Sequence, residues 1–445
     1  MTVKAMRTGE LAINGGPPAA AMMEGVARPK VGAEEFLELA ETWGYGAQTI
    51  AAIGAAIAGE PDVAPLLTRY YNPRPSKVQA LEELTAQVFG IPYVLAVNSG
   101  TSALNTAYVA AGIGPGCEVI VPAYTFFATV AEVVTARAIP VIAEIDESLT
   151  LDPADVERKI TPRTRAIVPV HINGACANMD AIMDIARRHN LVVIEDVAQA
   201  CGASYKGRRL GTIGHLGCFS ISSYKTTGGG EAGLVMTHDH HLYVRAQNNH
   251  DTGACWRPDR FAVEQEEGEL FCGYNYKMSE LEGAVNLVQM RKVPTQVERW
   301  QRVKRRIVAG VGSFGGFTPQ QSHDPGELGN YYVYFAPDAA VAATPAAALN
   351  AEGVGAHARG GKNARDWHIY AYWEHILNKK SASPDGCPWT CEKNAASLAQ
   401  YSPEMCPRTL DLMGRAVFVP LGQWWTEADC DRVAGGINKV LAAYS

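Results

Sequence analysis

The sequence predicts an α/β fold with a mostly parallel, seven-stranded sheet, helices on both faces, and a smaller C-terminal α+β domain. Short runs rich in Val and Ile recur along the chain and alternate with longer helix-favouring stretches. Such runs indicate strands buried on both faces, and their alternation with helices is typical of a parallel sheet. The predicted strands lie near residues 94–98, 118–122, 139–145, 165–171, 191–196, 217–222 and 233–237, with helices near 101–112, 127–137 and 178–190.

We divide the chain into an N-terminal extension (residues 1–71), a large domain (72–292) and a small C-terminal domain (293–445). The boundary near 292 rests on a predicted helix that begins at Ser279 and ends near Arg291, because Pro294 lacks a backbone donor. The remaining predicted helices are near 32–43, 48–59, 76–89, 299–308, 344–352 and 426–444, and the remaining strands near 331–336 and 416–420.

The composition excludes some classes of protein. The 445 residues include 39 basic and 46 acidic side chains, well interspersed, with a net charge of −7. A chain without a basic excess is unlike a nucleic-acid-binding protein. Neither a signal peptide nor an apolar run of about 18 residues is visible, so we expect a cytoplasmic enzyme that does not bind a membrane. Its ten cysteines are then expected to be reduced thiols.

An acid and a lysine stand at positions that suit a single cofactor. The strand at 191–194 runs into Glu195 and Asp196, and Lys225 follows a second strand and precedes three glycines. Taken separately, an acid after a strand is often a helix cap and a lysine is usually a solvated surface charge. Together they match pyridoxal 5′-phosphate, which requires a lysine amine and an acid facing its pyridine nitrogen.

A predicted phosphate site lies upstream. The strand at 94–97 is followed by Asn98-Ser99-Gly100-Thr101-Ser102 and then by a helix. Backbone N–H groups at a helix start, with the Thr101 and Ser102 hydroxyls, would bind a phosphate. Many strand–helix turns are rich in such residues, so this pattern alone is weak.

Seven segments in order resemble the DegT/DnrJ-type sugar and cyclitol aminotransferases, which are fold type I pyridoxal-phosphate enzymes. The resemblance covers about residues 11–295 and is weaker in the C-terminal third. The segments are LAINGGPPA, NSGTSAL, PAYTFFAT, VHINGACANMD, EDVAQACGA, GCFSISSYKTTGGGEAG and GYNYKMSELEGAV.

The resemblance assigns the catalytic roles to Lys225, which would bond the cofactor and move protons, and to Asp196, which would face the pyridine nitrogen. Glu195 should point to the opposite face of the strand, and Lys206 is the competing, solvated lysine. Phe126 would stack on the cofactor ring, although a core position is the alternative. Asn275 would reach the phosphate from the neighbouring subunit, which implies a homodimer with shared sites. The further cofactor contacts are Gly100, Thr101, Ser102, Gln199 and Ser220.

The substrates are less well defined. The resemblance implies glutamate or glutamine as amino donor and a keto-sugar or keto-cyclitol as acceptor, in the biosynthesis of an aminosugar, an aminocyclitol or a related metabolite such as an antibiotic. Residues 357–373 are expected to line the acceptor pocket, with a surface loop as the alternative. Candidate substrate contacts are Tyr124, His171, Arg359, Lys362 and His368.

Three alternatives remain at this point. Family dehydratases generally replace the lysine with histidine, so Lys225 disfavours a sugar dehydratase. A non-catalytic regulatory homologue is disfavoured by the intact Asp196 and Lys225. The spacing of Cys387, Cys391 and Cys406 fits no standard zinc site, so no metal is expected and the role of these thiols stays open.

Overall fold

A computed structural model describes residues 11–18, 29–60, 65–71, 74–253, 255–264, 268–359, 365–397 and 399–445. Backbone contacts group the chain into two compact units, residues 1–67 and 68–445. The first unit contains helices α1 (Ala33–Thr42) and α2 (Ala47–Ile57). These two helices pack closely, since a β-carbon at Gly54 would lie 3.4 Å from Leu37 Cδ1. The three-part division predicted from the sequence stays a prediction.

The second unit holds the remaining regular elements. Within the described part of the chain, no helix combines the length and the apolar character that crossing a bilayer requires. The helices are α3 (Lys77–Phe89), α4 (Gly100–Ala110), α5 (Ala128–Thr135), α6 (Pro153–Lys159), α7 (Met179–His189), α8 (His240–His250), α9 (Glu280–Gly310), α10 (Ala343–Ala351), α11 (Glu374–Leu377), α12 (Pro407–Arg415) and α13 (Glu427–Tyr444). The strands are β1 (Tyr93–Val97), β2 (Glu118–Pro122), β3 (Ile139–Ala143), β4 (Thr164–Ile167), β5 (Val192–Asp196), β6 (Ser204–Tyr205), β7 (Arg208–Arg209), β8 (Leu216–Ser220), β9 (Gly233–Thr237), β10 (Thr318–Pro319), β11 (Tyr331–Phe335), β12 (His357–Ala358) and β13 (Ala416–Pro420).

The large sheet confirms the predicted fold class. Among the described residues it contains seven strands in the order β1-β9-β8-β5-β4-β2-β3. Strands β8, β5, β4, β2 and β3 pair in parallel. Strand β9 runs antiparallel to both of its neighbours, so β1 has the same direction as β8. Each of these strands overlaps a run of apolar residues from which it was predicted.

Both faces of this sheet are covered, as its apolar sequence requires. Alternate residues of β1 enter different cores, Leu95 and Val97 on one face and Val94 and Ala96 on the other. The first core includes side chains from α4, α5, α8 and α12, and the second includes side chains from α3, α7 and α9. Strands buried on both faces show no polar alternation, which explains the continuous apolar runs.

The predicted smaller α+β part is also confirmed. An antiparallel sheet in the order β10-β11-β13-β12 follows the large sheet in the sequence. Its core joins Tyr332 and Val417 of the sheet to Val303 of α9, Leu349 of α10 and Ile437 of α13. Helix α9 therefore contributes to the cores of both sheets.

Helix α9 corrects one expectation, because it continues through Pro294 instead of ending near Arg291. Proline removes one backbone hydrogen bond but does not forbid a helix that is held by packing on both sides. Val293 and Val297 are buried, and Gly202 lies so close that a β-carbon there would be 2.5 Å from Val293 Cγ1. The packing of Val293 and Val297 therefore stabilises the helix more than Pro294 destabilises it.

Candidate active site

The predicted cofactor residues lie at one edge of the large sheet. Strands β1, β5 and β8 have the same direction, and their carboxyl ends lead to Gly100, Asp196 and Ser220. Ligands of parallel sheets bind at this edge, because the loops that follow the strands converge there. Gly100 and Ser220 are in contact, since a β-carbon at Gly100 would lie 2.5 Å from Ser220 Cβ.

The carboxylate of Asp196 is buried and held by two donors. The Thr129 hydroxyl donates to Oδ2 at 2.8 Å, and the Ala198 N–H donates to Oδ1 at 3.1 Å. The Thr129 hydroxyl lies 2.8 Å from the Thr125 hydroxyl, which extends the network toward the loop after β2. The orientation of the carboxylate is therefore fixed before any ligand binds, and the sequence did not identify Thr129 as the residue that fixes it.

Glu195 points to the opposite face, as strand alternation predicts. Its Oε1 accepts the N–H groups of Ile213 and Gly214 at 2.8 and 2.6 Å, and its Oε2 accepts that of Gly211 at 2.8 Å. His171 Nε2 lies 3.1 Å from the same Oε2, and His171 Nδ1 accepts the Ala177 N–H at 3.2 Å. His171 is fully buried, and both of its ring nitrogens are hydrogen-bonded within the protein. This corrects its assignment as a substrate contact, because it is a buried structural partner of Glu195.

Lys225 lies half-buried in the loop between β8 and β9. Its N–H donates to Ser222 O at 3.0 Å, which begins a tight turn. Gly228 has φ +140°, and a β-carbon there would lie 2.0 Å from Ile221 O, so the turn requires glycine. Burial lowers the pKa of the Lys225 ammonium, while the carboxylates of Asp196 and Glu231 oppose that shift. The amine is thus near Asp196 and loses its proton more easily than a surface lysine.

Lys206, the competing lysine, has a different environment. Its side chain is 60% exposed and forms an ion pair with Asp180. That ion pair raises the pKa of Lys206, so its amine is held in the charged form. A charged amine is a poor nucleophile, and the structure therefore favours Lys225 as the reactive lysine.

The start of α4 provides an anion-binding turn. Ser99 caps the helix by accepting the Ser102 N–H at 3.0 Å. The first N–H groups of a helix have no intrahelical acceptor, so those of Gly100 and Thr101 are available to a phosphate. Thr101 is exposed, whereas Ser102 is buried and its hydroxyl donates to the Asn98 side chain. Ser102 therefore shapes the turn and does not present its hydroxyl to a phosphate, contrary to the expectation.

The other predicted cofactor contacts, Phe126, Gln199 and Asn275, differ in their exposure and in their partners. Phe126 is 48% exposed and therefore is not the core residue of the alternative interpretation. Gln199 is half-buried, and its Oε1 accepts the Asn173 N–H at 2.9 Å. Asn275 is exposed and forms an antiparallel β-bridge with Asp251. An exposed Asn275 is compatible with a role toward a second subunit.

A second polar cluster adjoins the first through Asn173. Asn173 Nδ2 donates to the Tyr124 hydroxyl at 2.9 Å, and Arg359 Nη1 donates to the same hydroxyl at 3.1 Å. Tyr124 is fully buried, and burial raises the pKa of its phenol to about 12, although Arg359 opposes the shift. Arg359 also lies over the Phe418 ring at 5.0 Å. Both charge and orientation of the guanidinium are therefore fixed.

Asp366 connects Arg359 to His368 in this cluster. Its Oδ2 lies 3.1 Å from Arg359 Nη1, and its Oδ1 lies 2.7 Å from His368 Nδ1. Burial alone would raise the pKa of Asp366, but the hydrogen bonds from His368 and the charge of Arg359 lower it to about 2. The His368 ring lies 5.6 Å from the Phe126 ring. Arg359, His368 and Phe126 thus lie together, and the fully buried Tyr124 holds Arg359 in place through its hydroxyl.

Some predicted residues lie elsewhere. Lys362 lies outside the described residues. Cys406 is buried in the core, and Cys387 and Cys391 are partly buried free thiols. Within the described ranges, no cluster of three or more His, Cys, Asp or Glu side chains could hold a metal ion. The sequence reasoning missed Thr129, Asn173 and Asp366. Thr129 and Asn173 contact distant segments of the chain, whereas the partners of Asp366 are near it in the sequence.

Similar folds occur among solved structures. The structure of 3-amino-5-hydroxybenzoic acid synthase superposes with a TM-score of 0.70 at 23% identity, over 94% of this chain and 99% of that one. The structure of S. venezuelae DesV superposes with a TM-score of 0.67 at 25% identity, over 93% of this chain and 98% of that one. The chain therefore has the fold type I architecture.

Relatives of known function share part of the chain. GDP-perosamine synthase of Caulobacter vibrioides is 39% identical over 228 residues, which are 50% of this chain and 58% of the relative. An L-glutamine:2-deoxy-scyllo-inosose aminotransferase of Micromonospora echinospora is 40% identical over 256 residues, which are 56% of this chain and 60% of the relative. The similarity thus spans less than two thirds of either relative. The sequence profile of one family matches residues 70–360, which include Lys225, Asp196 and Arg359. The chain belongs to the DegT/DnrJ/EryC1/StrS aminotransferase family.

Proposed function

We propose that the protein is a pyridoxal-phosphate-dependent aminotransferase that moves an amino group from glutamate or glutamine to a keto-sugar or keto-cyclitol. The observation that carries this proposal is the half-buried Lys225, whose lowered pKa and proximity to Asp196 suit a reactive amine. Of the two relatives described above, one is named as a glutamine-dependent aminotransferase of an inosose, and the other is named for the synthesis of GDP-perosamine. The retained lysine disfavours the dehydratase alternative.

The residues at the sheet edge fit the cofactor. The Gly100–Ser220 contact leaves no room for a side chain at the start of α4, where backbone N–H groups would bind the phosphate. Asp196 would hold a proton on the pyridine nitrogen, and the exposed face of Phe126 would cover the ring. When bound, pyridoxal phosphate supplies the electron sink for cleavage of the substrate Cα–H bond. Gln199 would contact the ring hydroxyl.

The protein side chains supply proton transfer and positioning. Lys225 Nζ would take the proton from the donor Cα and return it to the cofactor carbon to which the amino nitrogen is bound. Burial favours this role because it increases the neutral fraction of the amine. Arg359, fixed by Tyr124 and Asp366, would bind an anionic or hydroxyl group of the substrate. The cytoplasmic location stays a prediction.

A substrate panel tests the proposal. Cofactor-loaded enzyme should transfer the amino group of glutamine or glutamate to 2-deoxy-scyllo-inosose or to a nucleotide-linked keto-sugar, measured by mass spectrometry of the product. A preference for one acceptor would show whether the enzyme acts on a keto-cyclitol or on a nucleotide-linked keto-sugar. Release of water from a keto-sugar without incorporation of nitrogen would instead support the dehydratase alternative, and no reaction of any donor would support the regulatory one.

Replacing Arg359 by alanine is expected to slow the acceptor half-reaction by about 10²-fold, because a pre-oriented charged donor is lost. The donor half-reaction should change by less than about threefold if the donor carboxylate is bound elsewhere. The two are measured separately by stopped-flow absorbance of the cofactor. Arg365→Ala is the matched control, since Arg365 is 75% exposed and pairs with Glu374.

The outcomes for Arg359 are distinct. An equal loss in both half-reactions would make Arg359 a general substrate clamp. No loss in either would assign residues 357–373 to the surface. Tyr124→Phe removes the hydroxyl that accepts a hydrogen bond from Arg359 but retains the positive charge of Arg359. It should therefore produce a smaller defect in the same half-reaction than Arg359→Ala does.

We also propose a homodimer in which Asn275 contributes to the partner's site. This proposal rests on the exposure of Asn275 and on its match to the family motif. Chains carrying Lys225→Ala should complement chains carrying Asn275→Ala, because a mixed dimer has one intact site. After random re-association, about a quarter of wild-type activity is expected, since half of the dimers are mixed and each has one functional site. Mixed dimers without activity would contradict a shared site.

A further inference from the structure

Asn173 lies in a short turn after β4, and this turn is held in place on two sides. On one side the His171 N–H donates to Asp196 O at 3.0 Å, which ties the turn to the end of β5. On the other side the Leu328 N–H donates to Gly174 O at 2.9 Å. Asn173 itself is buried, with 8% of its surface exposed. The position of Asn173 beside the sheet edge is therefore fixed by the main chain around it.

The backbone of this turn is left-handed at two consecutive residues. Asn173 has φ 51° and ψ 29°, and Gly174 has φ 80°. Asparagine adopts this conformation more readily than most side chains do, and glycine adopts it freely. A β-carbon at Gly174 would lie 2.1 Å from Asn330 Oδ1, so the second position requires glycine. At the first position the substitution Asn173→Gly would preserve the backbone of the turn.

The backbone N–H of Asn173 determines the orientation of the Gln199 amide. This N–H donates to Gln199 at 2.9 Å, and a donor can face only the carbonyl oxygen Oε1 of that amide. The amide nitrogen Nε2, which is a donor, is therefore the end of the amide that remains for the cofactor. Gln199 is half-buried and follows Asp196 by three residues. Its Nε2 would thus donate to the oxygen of the cofactor's ring hydroxyl.

The side chain of Asn173 reaches the residues that hold Arg359. Its Nδ2 donates to the Tyr124 hydroxyl at 2.9 Å, and Arg359 Nη1 donates to the same oxygen at 3.1 Å. Tyr124 is fully buried, so its hydroxyl acts on its protein neighbours and not on a substrate. A hydroxyl oxygen has two lone pairs, and with one occupied by Asn173 the other remains for Arg359. Asn173 therefore helps to fix the acceptor atom that holds the guanidinium.

We propose that Asn173 is a positioning residue that joins the cofactor part and the acceptor part of the site. Its backbone N–H orients the Gln199 amide toward the cofactor, and its side-chain amide holds Arg359 through the Tyr124 hydroxyl. Asn173 acts through these partners and does not itself bind the substrate. The proposal rests on the proposed aminotransferase function. The two roles can be tested separately, because a substitution of the side chain leaves the backbone N–H in place.

Asn173→Gly tests the role of the side chain. In the cofactor-loaded variant the acceptor half-reaction, measured below saturation, should slow by about fivefold, the usual scale for loss of one hydrogen bond. The donor half-reaction should change by less than about twofold. In the Tyr124→Phe background the substitution should cause no further loss, because the side chain acts through that hydroxyl. Asn190→Gly is the matched control, since Asn190 has the same left-handed backbone, with φ 52°, but is exposed at the end of α7.

Calorimetric titration of the apoprotein with pyridoxamine 5′-phosphate tests the role of the backbone N–H without any turnover. Asn173→Gly should bind this cofactor form within about twofold of the wild type, because its N–H still orients Gln199. Gln199→Glu retains an oxygen for the Asn173 N–H but replaces the Nε2 donor by a second oxygen. It should weaken binding by at least about tenfold, because two oxygens would then face each other.

Several outcomes would overturn the proposal. An unchanged acceptor half-reaction in Asn173→Gly would reject the positioning role, and equal losses in both half-reactions would indicate a general structural effect instead. A further loss in the Tyr124→Phe background would show that the side chain does not act through the hydroxyl. Wild-type affinity of Gln199→Glu for pyridoxamine 5′-phosphate would reject the orientation of the amide. Wild-type enzyme that binds no pyridoxamine 5′-phosphate, or binds it and transfers no amino group, would refute the proposed function itself and the role of Asn173 with it.

Discussion

Replacement of Lys225 by alanine is expected to reduce transamination by at least about 10³-fold, because the variant loses both the covalent attachment of the cofactor and the proton carrier. The fold should be preserved, since Lys225 is only half-buried and lies in a loop. Single-turnover absorbance of the donor half-reaction measures the loss. A circular dichroism spectrum and a melting temperature close to those of the wild type show that folding is intact.

The attachment site itself gives a second readout. Borohydride reduction and peptide mapping of the wild-type enzyme should place the cofactor mass on Lys225. Lys206→Ala is the control, because Lys206 is exposed and paired with Asp180. The Lys206→Ala variant should retain both the modified peptide and the activity. A cofactor mass on the Lys206 peptide, or full activity in Lys225→Ala, would contradict the assignment.

The lowered pKa of Lys225 predicts a pH dependence of cofactor capture by the apoprotein. Only the neutral amine can attack the cofactor aldehyde, and burial lowers the pKa of Lys225 against the opposing charges of Asp196 and Glu231. The rate of capture should therefore rise with pH and level off below the pH at which an ordinary lysine amine would be neutral. Glu231→Gln removes one opposing charge and should shift this rise to lower pH. An unchanged or opposite shift would contradict the electrostatic account.

The large sheet could be predicted from the sequence because its strands are buried on both faces. Runs such as Val94–Val97 are continuously apolar because both faces of the strand are buried. A continuous apolar run of this length can be identified from the sequence alone. The continuation of α9 could not be predicted in this way. Proline acts locally and is visible in the sequence, whereas the packing of Val293 and Val297 on Gly202 depends on segments about 90 residues apart.

The same distinction applies to the candidate site. Asp196 and Lys225 are adjacent to strand ends and glycines, so local patterns and a family motif identify them. Thr129 and Asn173 have no such local pattern, and their significance depends on hydrogen bonds to Asp196 and Tyr124 that only the folded chain creates. His171 was misassigned for a related reason. A histidine after a strand is equally compatible with a ligand contact and with a buried partner of Glu195.

Replacement of Asp196 by asparagine should reduce turnover by about 10³-fold while leaving the protein folded. The substitution preserves the size of the side chain and its acceptance of the Ala198 N–H, but removes the negative charge that would hold a proton on the pyridine nitrogen. Steady-state turnover with the best acceptor measures the effect, and the absorbance spectrum of the loaded variant reports retention of the cofactor.

Thr129→Val separates the charge of Asp196 from its orientation. This variant loses the hydroxyl that donates to Asp196 Oδ2 at 2.8 Å, but the carboxylate keeps its charge and its contact with Ala198. We therefore expect a loss of about tenfold, the usual scale for removing one supporting hydrogen bond. The double variant should be no slower than Asp196→Asn alone, because Thr129 acts only through the carboxylate. Additive losses in the double variant would show that Thr129 contributes independently, and equal losses in the two single variants would show that orientation rather than charge is the dominant contribution of Asp196.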